Sequence, residues 1–450
     1  MAIQIDAEKK IFTLETDHTM YQMQADAYGV LRHLWYGAKT GCDMSYLQDY
    51  PDVGFSGNIY AAGNDRTYSL DTLPLEYAGA GVGDFRVPAV AAVHADGSSA
   101  LDLRYYSHTV KPGKYGIEGL PAVYAAEDEA ETLEVVLRDT ASAVEVTLLY
   151  AVLPALDLVT RCARIRNLGE TPVTLTKAAS LCLDISRGSW EWVHFHGRHA
   201  MERQMERRLL FHGIQEIGST RGTSSHHQNP TVLLCTPDCT ETAGACIGAA
   251  LVYSGSHQTR LECDQLGQVR MVMGIHPDLF RWELKAGETF STPEVMLSYS
   301  DTGLETLSHH FHQAIREHIC RGKYQLAERP VLINNWEATY FGFDTEKILH
   351  IAEEAARLGV DMLVLDDGWF GKRDDDCSGL GDWFVNETKL SGGLHDLVEK
   401  IKGMGMRFGI WFEPEMISED SDLYRKHPDW AIRIPDRAPI DRKSTRLNSS

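Results

Sequence analysis

The chain has 450 residues, 43% hydrophobic and 24% charged, too long for one ordinary core and so expected to form two or three domains. Its formal charge of −21, from 43 basic and 64 acidic residues, argues against nucleic acid or an anionic membrane as partner and leaves a neutral ligand open.

The opening Met-Ala-Ile-Gln-Ile-Asp-Ala-Glu-Lys-Lys has no basic stretch leading into an apolar one, and no apolar run reaches the roughly 18 residues of a membrane span. The nine cysteines, from Cys42 to Cys377, are odd in number and form no Cys-x-x-Cys. A reduced, cytoplasmic protein is expected.

Residues 1–302 read as β structure. Leu133–Leu137 and Val144–Leu148 alternate with the period of half-buried strands. Val159–Arg166, the turn Asn167–Pro172 and Val173–Lys177 read as a hairpin. Strand-sized pieces broken by Gly, Pro and Asn run on past Phe290, predicting a large β-sandwich. Over 303–329 the pattern changes: Leu304, Leu307, Phe311, Ala314, Ile315 and Ile319 keep helical spacing, predicting a helical linker.

From 330 to 434 strand and helix alternate. Val331–Asn334 is a strand; Asp344 is placed to cap a helix bearing Ile348, Ile351, Ala355 and Leu358, and Gly359 to stop it. Met362–Leu365 follows, four apolar residues expected to be buried on both faces. A long polar loop, Phe370–Gly393, a helix ending at Gly405 and a strand from Phe408 complete a βαβαβ run, which implies a parallel sheet.

Each of these strands delivers a tryptophan and at least one acid: Trp336 and Glu337, Asp366-Asp367-Gly368-Trp369, Trp411 with Glu413 and Glu415. Parallel α/β barrels keep their sites at this end of the strands. A hexose offers an apolar C–H face that tryptophan covers and hydroxyls that carboxylates bind. Retaining glycoside hydrolysis needs two carboxyl groups about 5–5.5 Å apart, and on the residues alone Asp366 or Asp367 pairs with Glu413 or Glu415. Asp374–Asp376 reads as a solvated loop face, His194 and His196 lack a third metal ligand, and Gly79–Gly83 lacks dinucleotide-fingerprint spacing.

Asn334-Asn-Trp-Glu337, Val364-Leu-Asp-Asp-Gly-Trp-Phe-Gly371, Leu380-Gly-Asp-Trp383, Trp411-Phe-Glu-Pro-Glu-Met416 and Asp65-Arg-Thr-Tyr-Ser-Leu-Asp71 resemble the signatures of glycoside hydrolase family 36 α-galactosidases. The resemblance implies an N-terminal β-supersandwich followed by the first three βα units of a (β/α)8 TIM barrel. It further implies retaining, metal-free hydrolysis of terminal α-galactosides such as melibiose and raffinose, with no cofactor, in a homo-oligomer (tetramer). Asp366 and Asp367 then bind the galactose 4- and 6-hydroxyls beside Trp336 and Trp411. Asp52 and Arg66 reach a pocket partly of a neighbouring subunit, and His199 stands where some relatives have tryptophan. The family's nucleophile lies in a Lys-Trp-Asp-Met-Asn-Arg-like motif and its acid/base further on; neither motif occurs here, so no catalytic residue is assigned. Residues 435–450, ending Asp441-Arg-Lys-Ser-Thr-Arg-Leu-Asn-Ser-Ser, are polar and aperiodic and read as a non-native tail on an inactive, truncated chain. Other readings are a raffinose-synthase-type galactosyltransferase, a Mg²⁺ enzyme using Asp366, Glu413 and Glu415, and a non-catalytic sugar-binding protein.

Overall fold

Alternating side chains fix the first part of the chain as antiparallel sheet. In Glu131–Asp139, Leu133, Val135 and Leu137 are buried while Glu134, Val136 and Arg138 stay part-exposed, the period-two signature of a strand with one core face. The computed structural model describes residues 2–54, 57–185, 188–437 and 445–446, and its chain divides into two units, Met1–Gln325 and Leu326–Ser450.

The first unit holds a four-stranded meander over Ile3–Ala38, a six-stranded sheet and a ten-stranded sheet. One cluster joins their inner faces: Phe12 and Leu14 from the meander, Val146 and Ile165 from the large sheet, Leu175, Leu181 and Met273 from the smaller. Each such side chain contributes about 1.5–3 kcal/mol by leaving water. A buried polar knot crosses the same core: Arg161 Nη1 donates to Glu76 Oε1 at 2.7 Å, and Tyr150 Oη donates to the same oxygen at 2.7 Å. Burial alone would raise the Glu76 carboxyl; Arg161 and His33 outweigh it and hold it below the ordinary range.

The expected hairpin across Asn167–Pro172 is not one. Leu158–Asn167 lies in the ten-stranded sheet, beside Val144–Leu153 and Glu294–Ser300, whereas Val173–Ile185 lies in the six-stranded sheet beside Val269–Ile275 and Val90–Val93. The turn is a corner between sheets. Asn167 builds it, its buried Nδ2 donating to Thr171 O at 2.8 Å and Leu284 O at 3.0 Å. Local alternation identifies both strands but carries no information on which distant strand each one pairs with.

The helix Leu304–His318 buries Leu307, Phe311 and Ala314 against Cys246, Ala250 and Met296, within the first unit. Phe311 lies over Gly248, where an added Cβ would stand 2.4 Å from the ring.

In the second unit Leu332–Asn334, Met362–Leu365 and Arg407–Ile410 form a parallel sheet in that order. Asp344 caps the helix Thr345–Arg357 by accepting from Lys347 N at 2.9 Å, and Gly359 follows it at φ 82°. The helix Gly393–Gly403 covers the same side of the sheet, its Leu397 and Ile401 joining Ile348, Ala352, Leu363 and Leu365 in one core. Met362–Leu365 is therefore buried on one face, not both: Leu363 and Leu365 are fully enclosed, Met362 and Val364 only partly. The two helices cover one side of the three strands, and the other side stays part-exposed. The proposed tail, 435–450, falls mostly outside the described residues; within it, the backbone of Thr445–Arg446 pairs with Met416–Ile417.

Candidate active site

Parallel registration brings three strand ends level. Asn335 N donates to Val364 O at 3.4 Å and Trp411 N to Leu365 O at 2.9 Å, so Asn335, Asp366 and Trp411 all sit just past the C-terminal ends of adjacent strands. The fully buried Asn335 accepts from Asp366 N through Oδ1 at 2.8 Å and donates through Nδ2 to Thr339 Oγ1 at 2.9 Å. Asn334 Nδ2 donates to Asp366 Oδ2 at 2.5 Å, and Asp367 N donates to Asp366 Oδ1 at 2.7 Å. Each carboxylate oxygen of Asp366 thus has one protein donor and a lone pair to spare. Asp366 is held in place and remains partly exposed.

Asp367 is treated differently. It is buried, and Arg373 takes both of its oxygens: Nε at 3.0 and 3.1 Å, Nη2 at 2.8 Å. The remaining Arg373 nitrogen, Nη1, donates to Ser378 O at 2.9 Å. Lys389 Nζ closes the loop by donating to Gly368 O and Arg373 O, both at 3.1 Å. The chain doubles back between Asp367 and Arg373 through Gly368, at φ 96°, and Gly371, at φ 47°. A Cβ at Gly368 would press on Phe341 at 3.0 Å, so glycine is required there for both conformation and space.

Aromatic side chains back this rim. Trp369 is buried against Phe370, Trp383 and Phe412, and its indole N–H donates to Trp411 O at 3.0 Å. Phe370 and Trp411 are stacked at 6.5 Å. Trp336 meets Tyr340 and Phe341 edge-on at 5.2 and 5.0 Å. Glu413 is half-buried and Glu415 exposed.

The candidates in the first unit are surface features. Arg66 Nη2 lies 3.0 Å from Asp52 Oδ1, both side chains mostly exposed, and Gly54 N also donates to Asp52 at 2.9 Å. His199 is exposed at the turn between Glu191–Arg198 and Met201–Leu209, its carbonyl accepting from Arg198 Nη1 at 3.3 Å.

Asp366, Asp367, Trp336 and Trp411 are thus gathered at one end of the parallel sheet. Sequence reasoning assigned nothing to Asn335 or Arg373. The paired asparagines at a strand end were a usable signal; Arg373, one more basic residue in a polar loop, offered none.

The strand ends present anchored carboxylates beside tryptophan, a pairing whose chemistry suits a sugar, on an α/β unit that follows a large antiparallel domain. Residues 29–285 match the glycosyl hydrolase family 36 N-terminal domain, and residues 289–449 match melibiase. The chain belongs to glycoside hydrolase family 36. It is 54% identical over 440 residues to the bifunctional α-galactosidase/sucrose kinase AgaSK of Mediterraneibacter gnavus, spanning 98% of this chain and 47% of that protein. To the α-galactosidase AgaA of Geobacillus stearothermophilus it is 44% identical, spanning 97% of this chain and 60% of AgaA. The solved galactosidase domain of AgaSK superposes with a TM-score of 0.96, over 99% of this chain and 62% of that one. An AgaA variant in complex with stachyose superposes at 0.94, with 44% identity, over 97% and 61%. The chain thus spans about half to three-fifths of the length of the relatives it matches.

Proposed function

We propose that this chain is the β-domain and the first part of the catalytic domain of a retaining α-galactosidase, one that removes terminal non-reducing α-D-galactose from melibiose- and raffinose-type sugars. The observation that carries the reading is Asp366, anchored through Asn334 and Asn335, with Asp367 locked by Arg373 behind it in a chain of this family. In this reading the large antiparallel sheets are a β-supersandwich and the three parallel strands are the first three βα units of a (β/α)8 barrel. Asp366 and Asp367 meet the galactose 4- and 6-hydroxyls, with Trp336 and Trp411 along the apolar edge. A carboxylate left without its hydroxyl is costly, so Asp366, whose oxygens keep a lone pair to spare, discriminates against the wrong epimer, while Asp367 is already satisfied by Arg373. Asp52, Arg66 and His199 contribute from the β-domain within a cytoplasmic homotetramer.

The nucleophile and acid/base are aspartates in motifs that the 450 residues do not contain, so the chain alone binds and positions but does not hydrolyse. The test is p-nitrophenyl α-galactoside. The 450-residue chain should show no turnover. A protein continued through the family's Lys-Trp-Asp motif should release α-galactose first, by NMR, keep its activity in EDTA, and lose it with Asp366→Ala. Initial release of β-galactose, loss of turnover in EDTA, or hydrolysis by the 450-residue chain that Asp366→Ala abolishes would each overturn the assignment.

A further inference from the structure

The first unit contains a cavity of about 390 Å³, lined in part by Tyr36, Gln48, Trp190, Gln268 and Tyr299. None of the residues assigned above lines it. Its size lies within the range of about 300–1,000 Å³ typical of small-molecule sites.

The wall is preformed. Tyr36 is wedged between Tyr21 and Tyr299, ring centroids 5.2 and 6.4 Å away. Gln48 is fixed by its amide N–H donating to His33 O at 3.2 Å, and Gln268 by donating to Thr72 O at 2.9 Å.

Two oxygens in this wall, Tyr36 Oη and Gln48 Oε1, are buried and have no hydrogen-bond partner among the described residues. Buried polar atoms are nearly always paired, and exceptions call for an explanation such as a bound guest. Burial holds the Tyr36 phenol far above its ordinary range and so protonated, making it a neutral donor. The Asp184 carboxylate, also at the wall, is committed: Arg270 donates to it at 2.7 and 2.6 Å and Leu75 N at 2.7 Å. Asp49 and His33 also line the cavity; the rest of the wall offers aromatic faces with neutral donors and acceptors, and the Asp184 carboxylate is already neutralised. This chemistry suits a molecule with an apolar C–H face and several hydroxyls.

We propose that this cavity is a second carbohydrate pocket, separate from the strand-end carboxylates, that takes a neutral pyranose unit between its aromatic side chains with Tyr36 and Gln48 as its polar contacts. The proposal does not rest on the reading of Asp366.

The experiment removes the first site and asks whether the second remains. The chain carrying Asp366→Ala is titrated with raffinose, with binding followed by tryptophan fluorescence and saturation-transfer NMR. Saturable binding is expected to persist. Tyr36→Phe combined with Gln48→Met should weaken it about tenfold or more. Unchanged circular dichroism would show that each variant is folded. Absence of binding in Asp366→Ala, or binding that a folded Tyr36→Phe/Gln48→Met chain leaves unchanged, would overturn the proposal.

Discussion

Arg373 makes the burial of Asp367 tolerable. With both partners nearly enclosed, removing the guanidinium leaves a carboxylate in a low-dielectric site, a loss that typically costs about 3–5 kcal/mol. Arg373→Met is therefore expected to lower the denaturation midpoint of the second unit strongly, and adding Asp367→Asn should restore much of it. Lys177 presents the opposite case. It is buried, and burial first, then Arg260, bring its ammonium down to about 8 from 10.5. Below about pH 8 both folded and unfolded chains hold the proton, and the folded state carries the whole penalty, roughly 3 kcal/mol. Between 8 and 10.5 only the unfolded chain keeps it, so this penalty fades as pH rises. Lys177→Met should accordingly stabilise the first unit at pH 7, with the gain vanishing near pH 10.5 in paired urea titrations. Neither residue was legible beforehand. Asp366, Asp367 and Trp411 could be read because an apolar strand ran directly into them, whereas the role of Arg373 depends on a glycine-made reversal and that of Lys177 on what a distant strand places around it.

Elements were legible where their signal was local. The cap at Asp344 and the stop at Gly359 follow from chemistry within one turn of chain, and both were anticipated. The supposed hairpin at Asn167–Pro172 failed because its two strands look alike in sequence yet belong to different sheets. The strand Met362–Leu365 was read as doubly buried from composition alone; how many faces are covered depends on neighbours that composition does not reveal. Packing of the helix Leu304–His318 has a sharper local requirement. Phe311 occupies the space a side chain at 248 would need, so Gly248→Ala should cost roughly 1–3 kcal/mol through overpacking. Phe311→Leu should recover part of that loss, a coupling that a double-mutant thermal denaturation series would expose.

At the scale of the whole chain, the two units meet in sequence at an exposed stretch, residues 320–329, that carries Arg321, Lys323 and Arg329. Exposed backbone with few buried contacts opens most readily. Limited trypsin treatment should cut there first, leaving a resistant fragment of the first unit that ends near residue 321; initial cleavage inside the ten-stranded sheet would contradict this.

That sheet also has an order of assembly written into it. Glu294–Ser300 lies in its interior, pairing with Cys246–Val252 on one side and Leu158–Asn167 on the other, yet it is the last of the sheet's strands along the chain. A ribosome delivers both neighbours before the strand that joins them. Until residue 300 emerges, each half of the sheet ends in an open edge, and open edges recruit other chains. The keystone arrives last, and the nascent protein passes through its most vulnerable moment just before the first unit is complete.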